Sequence, residues 1–369
     1  MEDPSVTPQP ASTWLIRIPE VFAEWERDIL RGLGARVLRL LGREFRLVRL
    51  GDPAMLGESA AAKYVRWNLP VHHSWPCCPR DTDGFVEKAA RALAGKFGRM
   101  KPQAVLAGAF DPGDPNRYYR TLASNLRGRT LQLFPTAAGA MKSAEDQDRM
   151  APTLFCLVGK EGLFCGLQSP AAAHGFYPGG TKFVRQNAPG TISRAGAKIA
   201  EALHQLRLYQ DPPCAGSRWL ELGASPGGMT AELLERGYQV TAVDRAPLDP
   251  RLDGARGLRF VLANATAFRP ETGAAYDAIL SDMNGDARDA IARVIRLTEF
   301  LRPGGLVVFT LKLAGVESFA AANEAEADVA GCAAAAGMRM IARTHLTYNR
   351  HEFTLFFAAR SRSDSTGNL

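Results

Sequence analysis

The C-terminal half of this 369-residue chain predicts an α/β fold, a doubly wound and mostly parallel sheet, and the N-terminal half a smaller α+β region. Three observations carry that expectation. From Ser217 onward, short apolar runs alternate with helix-length segments, the rhythm of strand–helix–strand units. A glycine-rich turn, Leu220-Glu-Leu-Gly-Ala-Ser-Pro-Gly-Gly-Met-Thr, stands between the first run and its helix, and an acid, Asp244, ends the second run. Upstream, strands and helices of mixed length follow one another without that alternation.

In order along the chain, residues 1–12 read as a disordered lead. Trp14-Leu-Ile-Arg-Ile reads as a short strand, residues 21–33 carry helical spacing, and Phe45-Arg-Leu-Val-Arg-Leu alternates as a strand. A second helix begins at Asp83, taken as its cap, and residues 103–110 form a buried strand. Residues 137–151 are a polar loop. Leu154-Phe-Cys-Leu-Val-Gly and Leu163-Phe-Cys-Gly-Leu make a hairpin around Lys160-Glu-Gly. The stretch 176–192, with Gly-Gly, Ala-Pro-Gly and the cations Lys182 and Arg185, is the expected linker. This divides the chain into 1–60, 61–175, the linker, and 193–369. In the last part, strands are expected at 217–222, 239–244, 258–263, 277–282, 306–312, 338–344 and 353–358. A helix runs up to the stop signal Arg302-Pro-Gly-Gly, and an alanine-rich helix covers 316–336.

Composition narrows the function classes. With 46% hydrophobic and 22% charged residues, the chain is of globular type, which excludes disordered and fibrous classes. No apolar run reaches membrane-spanning length, and the acidic, proline-rich start is not a secretory signal. Six cysteines without framework spacing read as reduced thiols, so a cytoplasmic protein is expected. The formal charge is +7, concentrated between Phe85 and Thr130, where nine Lys/Arg stand against three acids. With Tyr118-Tyr119 and Arg127-Gly-Arg, that stretch either tracks a phosphate backbone or is a solvated helix face plus a loop. His72-His73 and Cys77-Cys78 lack a chelating spacing, and no metal site is expected.

The glycine-rich turn departs from the Gly-x-Gly-x-x-Gly dinucleotide fingerprint. Pro226 suits a first helical turn, where a missing N–H costs little. Gly223, Gly227 and Gly228 let backbone approach a ligand closely. The carboxylate of Asp244, 21 residues beyond Gly223, can bind both hydroxyls of a ribose. These residues resemble class I methyltransferases that use S-adenosylmethionine. Gly-Ala-Ser-Pro-Gly-Gly is most similar to the FtsJ-like ribose 2′-O-methyltransferases. The resemblance implies that Gly223, Ala224, Ser225, Pro226, Gly227 and Gly228 wrap the methionine end, with Asp282 also on the cofactor wall. Asp244 would hold the ribose hydroxyls, and Asn264 would sit beside the adenine. Asn264 departs from the Asp usual in the family, and its amide can still accept from the exocyclic amine.

The FtsJ-like family carries a Lys-Asp-Lys-Glu tetrad, and each position has a counterpart: Lys198 before the first strand, Asp282 ending the fourth, Lys312 ending the next, and Glu352 ahead of the last. The resemblance makes Lys312 the general base, with Lys198, Asp282 and Glu352 orienting it and the hydroxyl. Lys198 would lower the pKa of Lys312, and the two acids would raise it. Residues 140–360 also resemble the M-type methyltransferases of bacterial large-subunit (23S) rRNA, which carry an N-terminal THUMP module. That implies RNA as partner, a cytidine 2′-oxygen as acceptor and a THUMP-like RNA-binding region over 61–175; the sequence is silent on oligomeric state, with a monomer as the default expectation. Met229, where the family has an aromatic residue, and the alanine-rich helix after Lys312 are departures. Two rivals stand beside this reading. One is a class I methyltransferase for another RNA acceptor, against which Asp282-Met-Asn lacks the Asn-Pro-Pro-Tyr pattern of amino-group methylators. The other is a non-catalytic RNA-binding or ribosome assembly factor, which would have no reason to keep the four polar residues.

Overall fold

Apolar runs become strands and amphipathic segments cover them in two compact units, residues 1–182 and 183–369. The computed structural model describes residues 12–79, 81–134, 143–181, 191–347, 349 and 351–359. Residues 1–11 of the expected lead, residues 137–142 of the expected loop, and Lys182 and Arg185 of the expected linker lie outside the described residues. Among the described residues, no helix is long and apolar enough to cross a membrane.

The first unit contains two four-stranded sheets. β1 (Thr13–Arg17), β2 (Ala35–Leu41), β3 (Phe45–Leu50) and β4 (Trp67–Pro70) pair antiparallel in the order β2-β3-β1-β4. β2 escaped the sequence pattern for a physical reason. It is an edge strand whose Leu38 and Leu40 are exposed, and a bulge between Val37 and Arg39 breaks its alternation. β5 (His73–Trp75), β6 (Ala104–Ala109), β7 (Thr153–Gly159) and β8 (Gly162–Gln168) form the second sheet in the order β5-β8-β7-β6. The expected hairpin forms, with β7 and β8 antiparallel and Gly159 opposite Gly162. The helices Thr82–Phe97 and Tyr118–Leu133 bury Val86, Leu93, Phe97, Leu122 and Leu126 in one core with Val105, Leu154 and Leu163. The cap of the first helix is Asp81 rather than Asp83: the Asp81 carboxylate accepts the N–H groups of Asp83 and Gly84, and Asp83 lies inside the first turn.

The second unit is built on one seven-stranded sheet. Its strands are β9 (Arg218–Leu222), β10 (Gln239–Asp244), β11 (Leu258–Leu262), β12 (Tyr276–Ser281), β13 (Leu301–Lys312), β14 (Met338–Thr344) and β15 (Glu352–Ala359). The order is β11-β10-β9-β12-β13-β15-β14, with β15 antiparallel to both of its neighbours and β9 to β13 paired parallel. From β9 the chain first winds outward to β10 and β11, then returns to β12 on the other side. The order therefore reverses between β9 and β12, which opens a crevice beyond their carboxyl ends. Arg302-Pro-Gly-Gly does not precede the strand but lies within it. Leu301 pairs with Tyr276, and the register then shifts so that Leu306 faces Ala278.

The helix Ala195–Leu206 packs against the helix Gly228–Glu235 through glycine contacts. A Cβ on Gly196 would lie 2.8 Å from the Gly228 carbonyl oxygen, and one on Gly228 only 2.0 Å from Ser193 Oγ. Their side chains join Trp219, Val240, Leu280, Val308 and Phe356 in the core of this unit.

One buried glutamate sits in the central sheet itself. Glu221, in β9, is 2% exposed and accepts a 2.7 Å hydrogen bond from Thr230 Oγ1. Burial pushes its carboxyl up to about 8, aided by the charges of Asp282 and Asp244 and opposed by the Thr230 hydroxyl. The folded chain thus keeps a proton that an unfolded glutamate releases near its ordinary value of 4.5. Between those two values the unfolded state binds fewer protons, so stability falls as pH rises, by up to about 1.4 kcal/mol per pH unit. Glu221→Gln keeps the shape without the proton. Its urea midpoint should change less between pH 5.5 and pH 8 than that of the native chain, and equal slopes would refute the assignment.

Candidate active site

The carboxyl ends of the parallel strands converge on a cleft of about 520 Å³ within the second unit, lined among others by Gly223, Ser225, Asp244, Asn264, Asp282 and Met283. The size is that of a small-molecule site. Gly223 leaves β9 at φ +82°, and a Cβ there would press to 3.2 Å on the backbone of Met283, which follows β12. Only glycine lets those two strand ends come this close. Asp244 ends β10 with both oxygens engaged: Oδ2 accepts the Ser225 N–H and Oδ1 the Ala246 N–H, each at 2.9 Å. These bonds fix the carboxylate in place. Each oxygen keeps lone-pair capacity for a further donor, as a vicinal diol requires.

The glycine-rich turn departs from its expected arrangement in two ways. Pro226 is not in the first helical turn. It follows a cis Ser225–Pro226 peptide, and the helix begins at Gly228 after Gly227 turns the chain at φ +104°. Gly227 and Gly228 are also explained by protein packing: a Cβ on Gly227 would meet Leu252 at 2.4 Å, and one on Gly228 would meet Ser193. Neither borders the cleft, whereas Gly223 and Ser225 do.

Beside Asp282, the four polar residues singled out by sequence order come together. Lys312 ends β13, and the antiparallel register sets it directly opposite Glu352, the first residue of β15. Lys312 Nζ lies 2.7 Å from Asp282 Oδ1 as an ion pair and donates a 2.9 Å hydrogen bond to Glu352 Oε2. Lys198 donates to the other oxygen of Glu352, Oε1. The four side chains are only 11–20% exposed. Burial by itself would lower the pKa of Lys312, but the charges and hydrogen bonds of Asp282 and Glu352 outweigh it and hold the ammonium above the ordinary lysine value. For Glu352, burial would raise the pKa, and the hydrogen bond from Lys198 with the charge of Lys312 brings it below the ordinary carboxylate value. Lys198 and Lys312 thus share Glu352, one on each carboxylate oxygen.

Several residues at the site carried no sequence signal. Glu201, one helical turn beyond Lys198, is fully buried and receives both the N–H and the hydroxyl of Thr347. Asn349 Nδ2 donates to the Glu352 carbonyl at 3.2 Å. Together they tie down the segment entering β15, part of which, Tyr348 and Arg350, lies outside the described residues. Arg245, Asn284 and Arg293 also line the cleft. Nothing in the sequence marks Glu201 apart from the other polar residues of its helix, and loop asparagines and surface arginines are equally unmarked.

The cleft fits a nucleoside-bearing ligand. It has a fixed carboxylate for a diol, the small apolar walls of Val243, Ala246, Ala263 and Ala265 for a planar base, and Asp282 for a cationic group. Residues 191–314 match the family model of FtsJ-like methyltransferases. Among curated proteins, the chain is 38% identical over 141 residues to the "Ribosomal RNA large subunit methyltransferase M" of Halorhodospira halophila, covering 37% of this chain and 39% of that one. It is 30% identical over 175 residues to the protein of that name from Aromatoleum aromaticum, covering 46% of each. With that of Thauera aminoaromatica it shares 29% over 191 residues, half of each chain. The chain therefore spans half or less of the length of these relatives. Strand order, the cleft at the reversal point and this match agree: residues 191–314 are similar to FtsJ-like methyltransferase domains.

Proposed function

We propose that this chain transfers a methyl group from S-adenosylmethionine to a ribose 2′-hydroxyl of RNA, with a cytidine of bacterial large-subunit (23S) rRNA as the acceptor. The observation that carries the reading is the buried Lys312 ammonium held between Asp282 and Glu352 at the edge of a nucleoside-sized cleft. The relatives named as large-subunit rRNA methyltransferases support the substrate class. The protein is proposed to act as a cytoplasmic monomer.

The cofactor supplies a methyl group on a positively charged sulfur. Gly223, Ala224 and Ser225 border the methionine end, with Pro226, Gly227 and Gly228 shaping the turn behind them. Asp244 binds the ribose diol, Asn264 meets the base, and Asp282 closes the wall nearest the sulfur. Methyl transfer needs the 2′-oxygen in line with the methyl and relieved of its proton near the transition state. Lys312 takes that proton on Nζ. It rests as an ammonium, so it would first release its own proton to solvent, and the positive charge of a bound cofactor would favour that release by repulsion. Asp282 and Glu352 aim Nζ, and Lys198 keeps Glu352 ionised and in place. The set titrates as a coupled unit.

The first unit is proposed to recruit RNA, with a THUMP-like region over 61–175. Of the nine cations between Phe85 and Thr130, Arg120 and Arg127 donate to backbone carbonyls and Arg129 pairs with Glu87. Arg91 also pairs with Glu87, and Lys88, Lys96, Arg99, Lys101 and Arg117 remain exposed on or beside the two helices, as backbone-tracking cations require.

Four outcomes test the reading. Labelled S-adenosylmethionine with rRNA lacking the modification should give one new 2′-O-methyl stop in alkaline cleavage; binding of cofactor with no transfer to RNA would favour another acceptor or an assembly role. Lys312→Ala should keep S-adenosylhomocysteine affinity within about threefold and lose a factor on the order of 10² or more in turnover. Native turnover should rise with pH between 7 and 9, the direction set by the raised Lys312 pKa. Glu201→Gln, which removes an acceptor from Thr347, should lower kcat with cofactor affinity unchanged and cost about 1–3 kcal/mol in urea unfolding. A stability loss without a kcat effect would leave Glu201 a purely structural clamp.

A further inference from the structure

A second cleft, of about 480 Å³, lies within the first unit. It is bounded by the β2–β3 turn, by residues 110–114 after β6, and by the β7–β8 turn at Lys160 and Glu161. Its aromatic wall is fixed in place. The Phe110 ring meets Phe45 edge-on at 5.1 Å and Phe164 at 5.6 Å, and Tyr119, in the first turn of the helix Tyr118–Leu133, adds a second ring. Most charges in the cleft are already engaged. Arg17 pairs with Glu44 and donates to the Gly179 carbonyl, and Arg43 lies 3.7 Å from Glu20. Asp111 and Asp114 each accept a backbone N–H, from Gly113 and Asn116. Glu161 differs. Its carboxylate folds back over the turn beside the Phe110 ring: a Cβ on Gly159 would lie 2.6 Å from Glu161 Oε2 and 2.9 Å from Phe110 Cδ2. Among the described residues, that carboxylate accepts no hydrogen bond and makes no ion pair.

We infer that this cleft takes an unstacked guanine of the RNA, whose N1–H and 2-amino group donate side by side to the Glu161 carboxylate while its ring lies against Phe110 and Tyr119. The inference rests on the RNA reading above and goes beyond it in naming a base and the residue that reads it. Charge decides which part of a nucleotide enters. With the Arg17–Glu44 and Arg43–Glu20 pairs neutral, Lys160 stands against Asp111, Asp114 and Glu161, and a cleft of net negative charge repels a phosphate. Outside, Lys160 and Arg117, two residues before Tyr119, are exposed and suit the backbone. The base therefore enters and the phosphates stay at the rim, the way unstacked bases of single-stranded RNA are read. The carboxylate then selects among the bases. Its two acceptor oxygens match two adjacent N–H donors, and guanine alone among the four RNA bases presents such a pair on its Watson–Crick edge. Uracil offers one N–H between two carbonyls that a carboxylate repels, and adenine and cytosine set a ring acceptor beside the amine.

Fluorescence anisotropy of the whole chain with labelled short oligouridines, plain or carrying one central guanosine or inosine, tests the inference apart from methyl transfer. The guanosine oligomer should bind about tenfold more tightly than the plain one, the worth of hydrogen bonds to a charged group. The inosine oligomer, which keeps N1–H and lacks the amine, should fall between them. Glu161→Gln replaces one acceptor oxygen with a donor and should cut the preference to about threefold or less, with the urea midpoint and the affinity for the plain oligomer unchanged. Equal affinity of the native chain for all three oligomers, or a preference that survives in Glu161→Gln, overturns the inference and leaves RNA binding standing. If no oligomer binds at low salt, the RNA reading falls and this inference with it. Calorimetric binding of spermidine that is lost in Glu161→Gln, without any preference among the oligomers, would assign the cleft to a cation and overturn the inference as well.

Discussion

The second unit depends on the antiparallel register between β13 and β15. Lys312 faces Glu352 because β15 runs against β13, with Leu306 opposite Ala358 at the far end of the same ladder. A slip of one residue would turn Glu352 to the other face and leave a buried ammonium with a single carboxylate. Two cations and two carboxylates sum to zero charge, and that balance is what allows a cluster this poorly exposed to persist. Deleting one member leaves its partner charged and uncompensated in a low-dielectric site, which is more costly than the net worth of any one pair. The apolar ladder of Val307, Val308, Phe309, Phe353, Leu355 and Phe356, all at most 1% exposed, sets the register from which the polar end follows.

Lys198 arrives from a different part of the chain, and its arrival depends on a backbone contact. The helix that carries it can lie close to the helix after the glycine-rich turn because Gly196 and Gly228 have no side chains to separate them. Gly228 thus belongs to the site indirectly: it sets how near Lys198 and Glu201 come to the segment ahead of β15. The same helix touches that segment at two places, Lys198 on Glu352 and Glu201 on Thr347, one turn apart. A two-point attachment resists rotation where a single ion pair does not.

Periodicity made the strand sequence of the second unit legible nearly to the residue, because central parallel strands are continuous apolar runs and their ends are polar. β10 runs from Gln239 to Asp244, and β14 from Met338 to Thr344, as expected. What stayed hidden depends on neighbours rather than on pattern. Asp81 and Asp83 are equally good caps in isolation, and only the helix start decides between them. β2 presents its leucines to solvent, against the rule that marks strands. The glycine-rich turn was recognisable as a turn, but not which of its glycines serves the cleft and which serves packing; that division follows from Ser193 and Leu252, remote from it in sequence. The tetrad could be named from the resemblance to FtsJ-like enzymes. That Lys198 and Lys312 share the two oxygens of Glu352 required geometry.

That geometry changes the argument about proton transfer. With Lys198 facing Lys312 directly, cation–cation repulsion would supply a neutral amine in the resting protein. In its actual place Lys198 neutralises part of Glu352, and the net effect of the two carboxylates is to hold Lys312 as an ammonium. A positive ligand in the neighbouring cleft would favour release of the Lys312 proton by charge repulsion. In the absence of that ligand, the site keeps four buried charges paired.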